Sequence, residues 1–272
     1  MGKRRLDTLL ADRGLYPSRS RAAASVMAGE VRLGAAGRRA AKPGELVDEE
    51  ELVTIDTGPE YVSRGGVKLA NALDASGLDV RGARALDVGA STGGFTDCLL
   101  QRGAREVVAV DVGYGILDYR LRTDPRVAVM ERTNARELVP GMLPTPDGAP
   151  GLPQIATIDV SFISLEKVLA AVIGCLAPRH DILALVKPQF EVGRGRVGKG
   201  GVVRAPEARR EALVGVGESA LALGAAVLAY HSSGLPGPKG NRETFIRLAE
   251  PGRPGAAADA QELEEMARKI EP

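Results

Sequence analysis

Four charged residues stand where the chain changes direction. Lys68 follows a glycine pair, Asp159 and Lys187 each end an apolar run (155–158 and 182–186), and Glu243 opens one. In an open α/β sheet the ligand crevice lies beyond the carboxyl ends of the strands, which is where Asp159 and Lys187 fall. A lysine behind a buried strand can serve as a general base when burial and positive neighbours lower its pKa, and nearby carboxylates act the other way. Tuned to roughly 7–8, such an amine takes a proton from a hydroxyl. Any one of the four reads equally as half of a surface ion pair. Their joint placement points to proton transfer.

A second constellation lies on the same edge. Asp87-Val88-Gly89-Ala90-Ser91-Thr92-Gly93-Gly94-Phe95-Thr96 joins an apolar run (Ala85, Leu86, Val88) to a helix-like stretch carrying Phe95, Cys98 and Leu99 on one face, with Gly103 as its stop. Strand, glycine turn and helix present a small cofactor, because glycines admit close backbone approach and the helix N-terminus faces the ligand. The spacing is DxGxxxGG rather than the dinucleotide pattern GxGxxG. The next apolar run, 107–110, ends at Asp111 with Val112 behind it, about the ~20 residues past the glycines where a ribose-holding carboxylate belongs. Asn134 and Arg136 follow a third expected strand, 127–130, placed to contact a small-molecule base or RNA. A tight turn in any α/β protein is the alternative reading of this stretch.

These groups need a sheet to position them, and the chain supplies one. Its 272 residues suffice for one sizeable domain and a small one. Helix-like segments start at Ser63, at Ser161 or Ser164 (running to Leu176) and at Pro206 (running to about Leu223), and they alternate with the apolar runs. Runs 226–230 and 243–248 are expected as an antiparallel pair. The pattern is an α/β sheet covered on both faces. Residues 140–153 read as a Gly/Pro-rich loop. Residues 193–201, with Arg194, Arg196 and Lys199, carry too little apolar content to pack and are expected to be mobile until a polyanion orders them. A flexible tail from Pro251 to Ala258 and a short helix over 261–270 close the chain.

Net charge is +1, so total charge announces no nucleic acid, but its distribution does. Lys3, Arg4, Arg5, Arg13, Arg19, Arg21, Arg32, Arg38, Arg39 and Lys42 crowd the first part, with acids at Glu45 and 48–51. This part reads as a helix from Arg4 to Gly14, a second opened by Ser18 or Ser20 and closed by Gly29, and strands at 31–33 and 52–55. Cys98 and Cys175 fall in apolar runs and read as buried free thiols; with His180 and His231 alone, no metal site is expected. Asp7 and Asp12 interrupt any signal-peptide core. The longest apolar run, 168–177, is half of the ~20 residues a membrane helix needs. A cytoplasmic protein is expected.

The motifs R-L-D-x-L-L, S-R-S-R-A, G-E-V-R-L-G and K-P-G, over about residues 4–56, resemble an S4 RNA-binding domain. S-R-G-G-V-K-L, D-V-G-A-S-T-G-G-F-T, D-V-G-Y-G, R-T-N-A-R, D-V-S-F-I-S-L, V-K-P-Q-F-E and G-P-K-G-N-R-E, in unbroken order to about residue 250, are similar to the TlyA family. These are S4-containing ribose 2'-O-methyltransferases of ribosomal RNA with an FtsJ-like catalytic domain. The resemblance implies a Rossmann-like class I methyltransferase, a largely parallel sheet with an antiparallel edge strand, preceded by a small α+β S4 domain. The implied boundaries are 1–57 for the S4 domain, 58–62 for a linker, 63–250 for the methyltransferase and 251–272 for the tail.

The resemblance further implies S-adenosylmethionine at Asp87, Gly89, Ala90, Ser91, Thr92, Gly93, Gly94 and Phe95, with Asp111 and Val112 at its ribose, Asn134 near its adenine, and Asp159 alongside. Lys68, Asp159, Lys187 and Glu243 become a catalytic tetrad. In it Lys187 is the base on a cytidine 2'-hydroxyl, Asp159 and Lys68 tune and orient it, and Glu243 holds the ribose. Arg4, Arg5, Arg19, Arg21, Lys42, Arg64, Arg136, Arg194 and Lys199 are the implied RNA contacts. The implied partner is ribosomal RNA within its subunits, with no metal. Family members that modify both subunits have a full N-terminal helix and a C-terminal extension, and this chain looks complete at both ends. It departs at the linker, where Glu60-Tyr61-Val62 replaces the family's Arg-x-Trp-Val. Other readings are a nicotinamide-dependent oxidoreductase, disfavoured by the glycine spacing, an RNA-binding assembly factor, and a membrane-lytic haemolysin, a label the family carries.

Overall fold

The structure is a computed structural model that describes residues 2–56, 58–144 and 151–271. It divides into two units, Met1–Glu60 and Tyr61–Pro272.

In the first unit, β1 (Lys3–Arg5) leads into α1 (Leu6–Asp12) and α2 (Arg19–Ala28), followed by β2 (Val31–Leu33), β3 (Arg38–Arg39), β4 (Leu46–Asp48) and β5 (Val53–Ile55). β1 pairs with β4, and β2 lies antiparallel between β3 and β5. Leu6, Leu9, Leu10, Ala22, Val26, Val31, Leu33 and Val47 form its core. Ser18 is the N-cap of α2, accepting from the Arg21 N–H at 3.2 Å, and Gly29 ends the helix in the left-handed conformation. β1 contains Arg4 and Arg5, expected in the first helix, and β3 and β4 go beyond the sequence expectation. Lys3-Arg4-Arg5 carries no apolar alternation, because its side chains are exposed or half-buried.

The second unit begins with α3 (Arg64–Ser76), β6 (Arg84–Val88), α4 (Gly94–Gln101), β7 (Glu106–Val110), α5 (Tyr119–Arg122) and β8 (Val127–Met130). It continues with β9 (Ile155–Ile158), α6 (Glu166–Gly174), β10 (Asp181–Val186), α7 (Pro188–Glu191) and α8 (Pro206–Ala222). It closes with β11 (Ala226–Ser232), β12 (Thr244–Ala249) and α9 (Ala260–Ile270). The described strands form a seven-stranded sheet in the order β11-β12-β10-β9-β6-β7-β8. β6 to β10 are parallel, and β12 runs antiparallel to both neighbours, one place in from the edge. The chain leaves β6 for β7 on one side and later returns to β9 on the other. That switch point is where an open α/β sheet forms its crevice.

Helices cover both faces. Leu169 and Val172 of α6, Leu213 and Val216 of α8, and Leu263 of α9 pack on one; Leu69 and Leu73 of α3 and Leu99 of α4 pack on the other. Strands covered twice read as unbroken apolar runs, which is why β10 shows no alternation. Each fully buried Leu or Ile there contributes about 1.5–3 kcal/mol. Cys98 and Cys175 are buried thiols outside any disulfide, as expected.

The stretch expected as a flexible tail is folded against this sheet. The Ala257 N–H donates to the Val227 carbonyl at 2.8 Å, and Ala257, Leu263 and Ala267 are buried. Leu263, Met266, Ala267 and Ile270 repeat at helical spacing and form the apolar side of α9. Of the loop expected over 140–153, residues 145–150 lie outside the described residues. On either side of them, the buried Arg84 donates to the Pro144 and Gly151 carbonyls.

Candidate active site

The turn after β6 is fastened to its neighbours by its backbone. The N–H groups of Gly89 and Ala90 both donate to the Val110 carbonyl, at 2.8 and 3.1 Å, and the Ser91 N–H donates to Asp111 Oδ2 at 2.8 Å. Gly89 has φ +85°, and a Cβ there would lie 2.5 Å from the Asp159 carbonyl oxygen. Only glycine lets the turn rest against the end of β9. Gly94 opens α4 with the same economy of space, since a Cβ would meet Ser63 Oγ at 2.2 Å.

Beyond this turn lies a cavity of about 530 Å³. Gly89, Ala90, Ser91, Thr92, Gly94 and Phe95 line one part of it, and Lys68, Asp159, Lys187 and Glu243 line another. The sheet register explains the gathering. Val186 of β10 faces Thr244 of β12 across the antiparallel pair, so the next residues out, Lys187 and Glu243, leave the sheet side by side. β9 pairs in parallel with both β6 and β10, which brings Asp159 between the glycine turn and Lys187. Lys68 reaches in from α3.

The four groups form two ion pairs. Lys68 Nζ lies 2.5 Å from Glu243 Oε2, and Lys187 Nζ lies 2.6 Å from Asp159 Oδ1. Lys68, Lys187 and Glu243 are 7%, 9% and 3% exposed. The Lys187–Asp159 contact is close but lacks hydrogen-bond alignment; the directional bond from Lys187 goes to Ser161 Oγ at 2.8 Å. Burying ion pairs costs desolvation that packed apolar side chains would avoid, so their presence points to chemistry rather than stability.

Not every residue expected at the cofactor reaches this cavity. Asp87 is wholly buried: Thr96 Oγ1 donates to its Oδ2 at 2.7 Å and Thr157 Oγ1 to its Oδ1 at 2.9 Å. Burial pushes its carboxyl up to about 6 despite those two hydroxyls, which favour the charged form. Inside a strand covered on both faces, its side chain enters a helix–sheet layer instead of projecting past the strand end. It ties α4 to β9 and so sets the turn from below. Gly93, Asp111, Val112 and Asn134 also lie outside the cavity lining. Asp111 supports the turn through Ser91 and accepts from the Gly113 N–H at 2.6 Å, while Asn134 Oδ1 accepts from the Arg136 N–H at 3.2 Å.

Among the expected RNA contacts, Arg64 lines the cavity, Arg136 and Lys199 are exposed, and the side chain of Arg194 lies outside the described residues. In the first unit Arg4 pairs with Asp12 and Glu49. Arg5 and Arg19 converge on Asp7 at 2.8 and 3.1 Å. The Arg5 hydrogen bond, reinforced by Arg19, holds the Asp7 carboxyl well below the usual range. Arg21 and Lys42 are exposed and make no ion pair among the described residues.

Sequence reasoning missed Ser161, Phe162, Gln189, Phe190 and Lys239, all of which line the cavity. Phe162 has φ +66° and is 91% exposed, and its ring stacks obliquely on Phe190 with centroids 5.3 Å apart. The available signal was a large aromatic four residues past a strand end, in D-V-S-F-I-S, with no helical period to bury it. Only the capping serine was read there. Ser164 does cap, accepting from the Glu166 N–H at 3.2 Å, and Ser161 faces Lys187. Among the described residues no cluster of His, Cys, Asp and Glu could hold a metal ion.

An FtsJ-like methyltransferase model matches residues 61–250 and an S4 domain model matches residues 4–53. The chain is 49% identical, over 90% of its length and 89% of the relative's, to the 16S/23S rRNA (cytidine-2'-O)-methyltransferase TlyA of Mycobacterium tuberculosis. It is 44% identical to YqxC of Bacillus subtilis, which bears the name of an rRNA methyltransferase, over 99% of this chain and 93% of that one. A solved structure from Streptococcus thermophilus that bears the name hemolysin has a TM-score of 0.71 at 40% identity, covering 99% of this chain and 96% of that one.

Proposed function

The chain belongs to the TlyA family, in which an S4 domain precedes an FtsJ-like methyltransferase domain, and on that footing we propose how it methylates ribosomal RNA. It is a ribosomal RNA (cytidine-2'-O)-methyltransferase. The name of its Mycobacterium tuberculosis relative supports cytidines of both 16S and 23S rRNA as targets. One observation carries the residue assignment: the glycine turn and both lysine–carboxylate pairs line a single cavity.

The turn fits S-adenosylmethionine. Gly89 and Gly94 send no side chain into the cavity, and Asp111, oriented by two backbone N–H groups, keeps free lone pairs at the turn's rim. Bound there, the methyl donor supplies an electrophilic methyl group on a sulfonium. A ribose hydroxyl is a weak nucleophile, and its in-line attack needs alignment and removal of its proton. Lys187, held by Asp159 and Ser161, takes that proton; Lys68 and Glu243 hold the ribose against the turn. Phe162 and Phe190 present aromatic faces on which a nucleobase can stack. Arg64 meets the phosphate backbone at the rim. Recognition of the 2'-hydroxyl makes RNA the substrate and DNA a poor one. A ribosomal substrate supports a cytoplasmic location.

The test is incubation of the protein and radiolabelled S-adenosylmethionine with each purified ribosomal subunit from a strain lacking this activity. Label in RNA, found as a ribose methyl on cytidine after nuclease digestion and mass spectrometry, is the expected result. Donor binding with no label on either subunit would leave an RNA-binding assembly factor. The hemolysin name of relatives finds no counterpart in a membrane span, since no helix among the described residues is long and apolar enough to cross a bilayer. Leakage from liposomes would nonetheless revive the lytic reading.

A further inference from the structure

Lys187 is held by two groups on one short stretch. Asp159 and Ser161 follow β9 two residues apart, and they lie 2.6 and 2.8 Å from Lys187 Nζ. A neutral amine has two N–H groups and one lone pair in tetrahedral array. With one N–H directed at Ser161 Oγ and the amine held against Asp159 Oδ1 by charge, the lone pair is turned toward the cavity all three residues line. Without Ser161 the amine rotates about Cε–Nζ, and the lone pair samples directions that include the floor of the site.

We propose that Ser161 is a positioning residue for the base: it fixes the Lys187 amine so that its lone pair meets the ribose hydroxyl. This rests on the reading of Lys187 as that base. Two features argue that the serine is there for chemistry. Its side chain is exposed and makes no other hydrogen bond among the described residues, so removing its hydroxyl costs the fold little. The next residue, Phe162, sits at φ +66°, a conformation that bulky side chains avoid, and strain of this kind persists where the surroundings impose it.

The step balances. A bond forms between the ribose 2'-oxygen and the methyl carbon, and the methyl–sulfur bond breaks with its electron pair retained by sulfur. The hydroxyl proton passes to the Lys187 amine and then to solvent.

The experiment compares Ser161→Ala, Ser161→Thr and Lys187→Ala in methylation of a ribosomal subunit, with donor affinity by calorimetry. Losing the amine's orientation is expected to lower kcat by roughly 10- to 100-fold in Ser161→Ala. KM for the subunit and donor affinity stay within about twofold of the native protein, and Ser161→Thr restores most of the rate. A readout independent of turnover is the Lys187 ammonium signal in protein labelled with ¹⁵N-lysine, assigned by its absence from Lys187→Ala. Held by Ser161, its protons exchange slowly; in Ser161→Ala the signal broadens. A Ser161→Ala enzyme with native kcat, beside an inactive Lys187→Ala, overturns the positioning role and leaves the base assignment standing. A Lys187→Ala enzyme with native kcat removes both.

Discussion

On the proposed mechanism, single residues in this site divide into those that touch the reacting groups and those that hold them, and two substitutions separate the roles. Lys187→Ala is expected to lower kcat by about 10²–10⁴, the usual worth of a general base, with donor affinity unchanged because the glycine turn is untouched. Radiolabel transfer and calorimetry check this together. Asp87 is of the second kind and has its own signature. Its carboxyl rises from 3.8 to about 6 on burial, so the folded protein binds this proton more tightly than the unfolded chain. Its stabilising contribution is full below about pH 4 and is lost as pH rises through about 6, a change on the order of 3 kcal/mol. Urea unfolding of the native protein and of Asp87→Asn at pH 4 and pH 7 isolates this contribution from other carboxylates. The native protein should lose stability relative to the variant on going to pH 7. Parallel pH profiles would show that Asp87 does not titrate as its burial dictates.

Elements were legible in the sequence where burial imposed a pattern and obscure where it did not. Strands covered on both faces need continuous apolar side chains, so β7, β9 and β10 stood out, together with the polar residues that end them. Asp159 and Lys187 were readable for this reason: a charge at the end of an apolar run has few places to go but the crevice. Asp87 misled because its charge lies within such a run, and what satisfies it, Thr96 and Thr157, is distant in sequence or unremarkable in type. Ser161 and Phe162 were overlooked because their roles depend on a turn conformation that residue types do not disclose. The end of the chain was obscure because glycines and prolines around 251–255 suggested a loose segment. Its anchor is an ion pair across 62 positions: Arg209 Nε to Glu271 Oε2 at 2.8 Å, with both side chains buried. Arg209 also donates to the Arg204 carbonyl at 2.6 Å, and Glu271 accepts from Arg242 at 3.4 Å, one residue before Glu243. Glu271→Gln leaves a buried guanidinium short of its charge partner and should cost about 3–5 kcal/mol in urea unfolding. The double replacement Arg209→Met with Glu271→Leu should recover much of that loss. Additive losses would show that the two residues act separately.

Over the whole molecule, charge decides how the first unit meets RNA. Residues 1–60 hold ten basic and ten acidic residues, so the unit has no net charge and its attraction for phosphate depends on which cations are unspent. Arg4, Arg5 and Arg19, named from the sequence as contacts, are engaged by Asp12, Glu49 and Asp7. To bind phosphate they must share or leave a carboxylate, and Asp7, buried beneath two guanidiniums, is a costly partner to abandon. Arg21 and Lys42 carry no such debt. Each phosphate neutralised releases counterions, and losing one contact lowers the slope of log affinity against log salt by about 0.7–0.9. Arg21→Ala with Lys42→Ala should therefore weaken subunit binding at low salt and flatten its salt dependence by roughly 1.5. Arg4→Ala with Arg19→Ala should change the slope less, because arginines already engaged by carboxylates neutralise fewer phosphates. Binding of both pairs to purified subunits between low and moderate salt distinguishes them. A steeper loss of slope in the Arg4 and Arg19 pair would mean that RNA takes these arginines from their carboxylates, and that the ion pairs of the free unit hold them ready for phosphate.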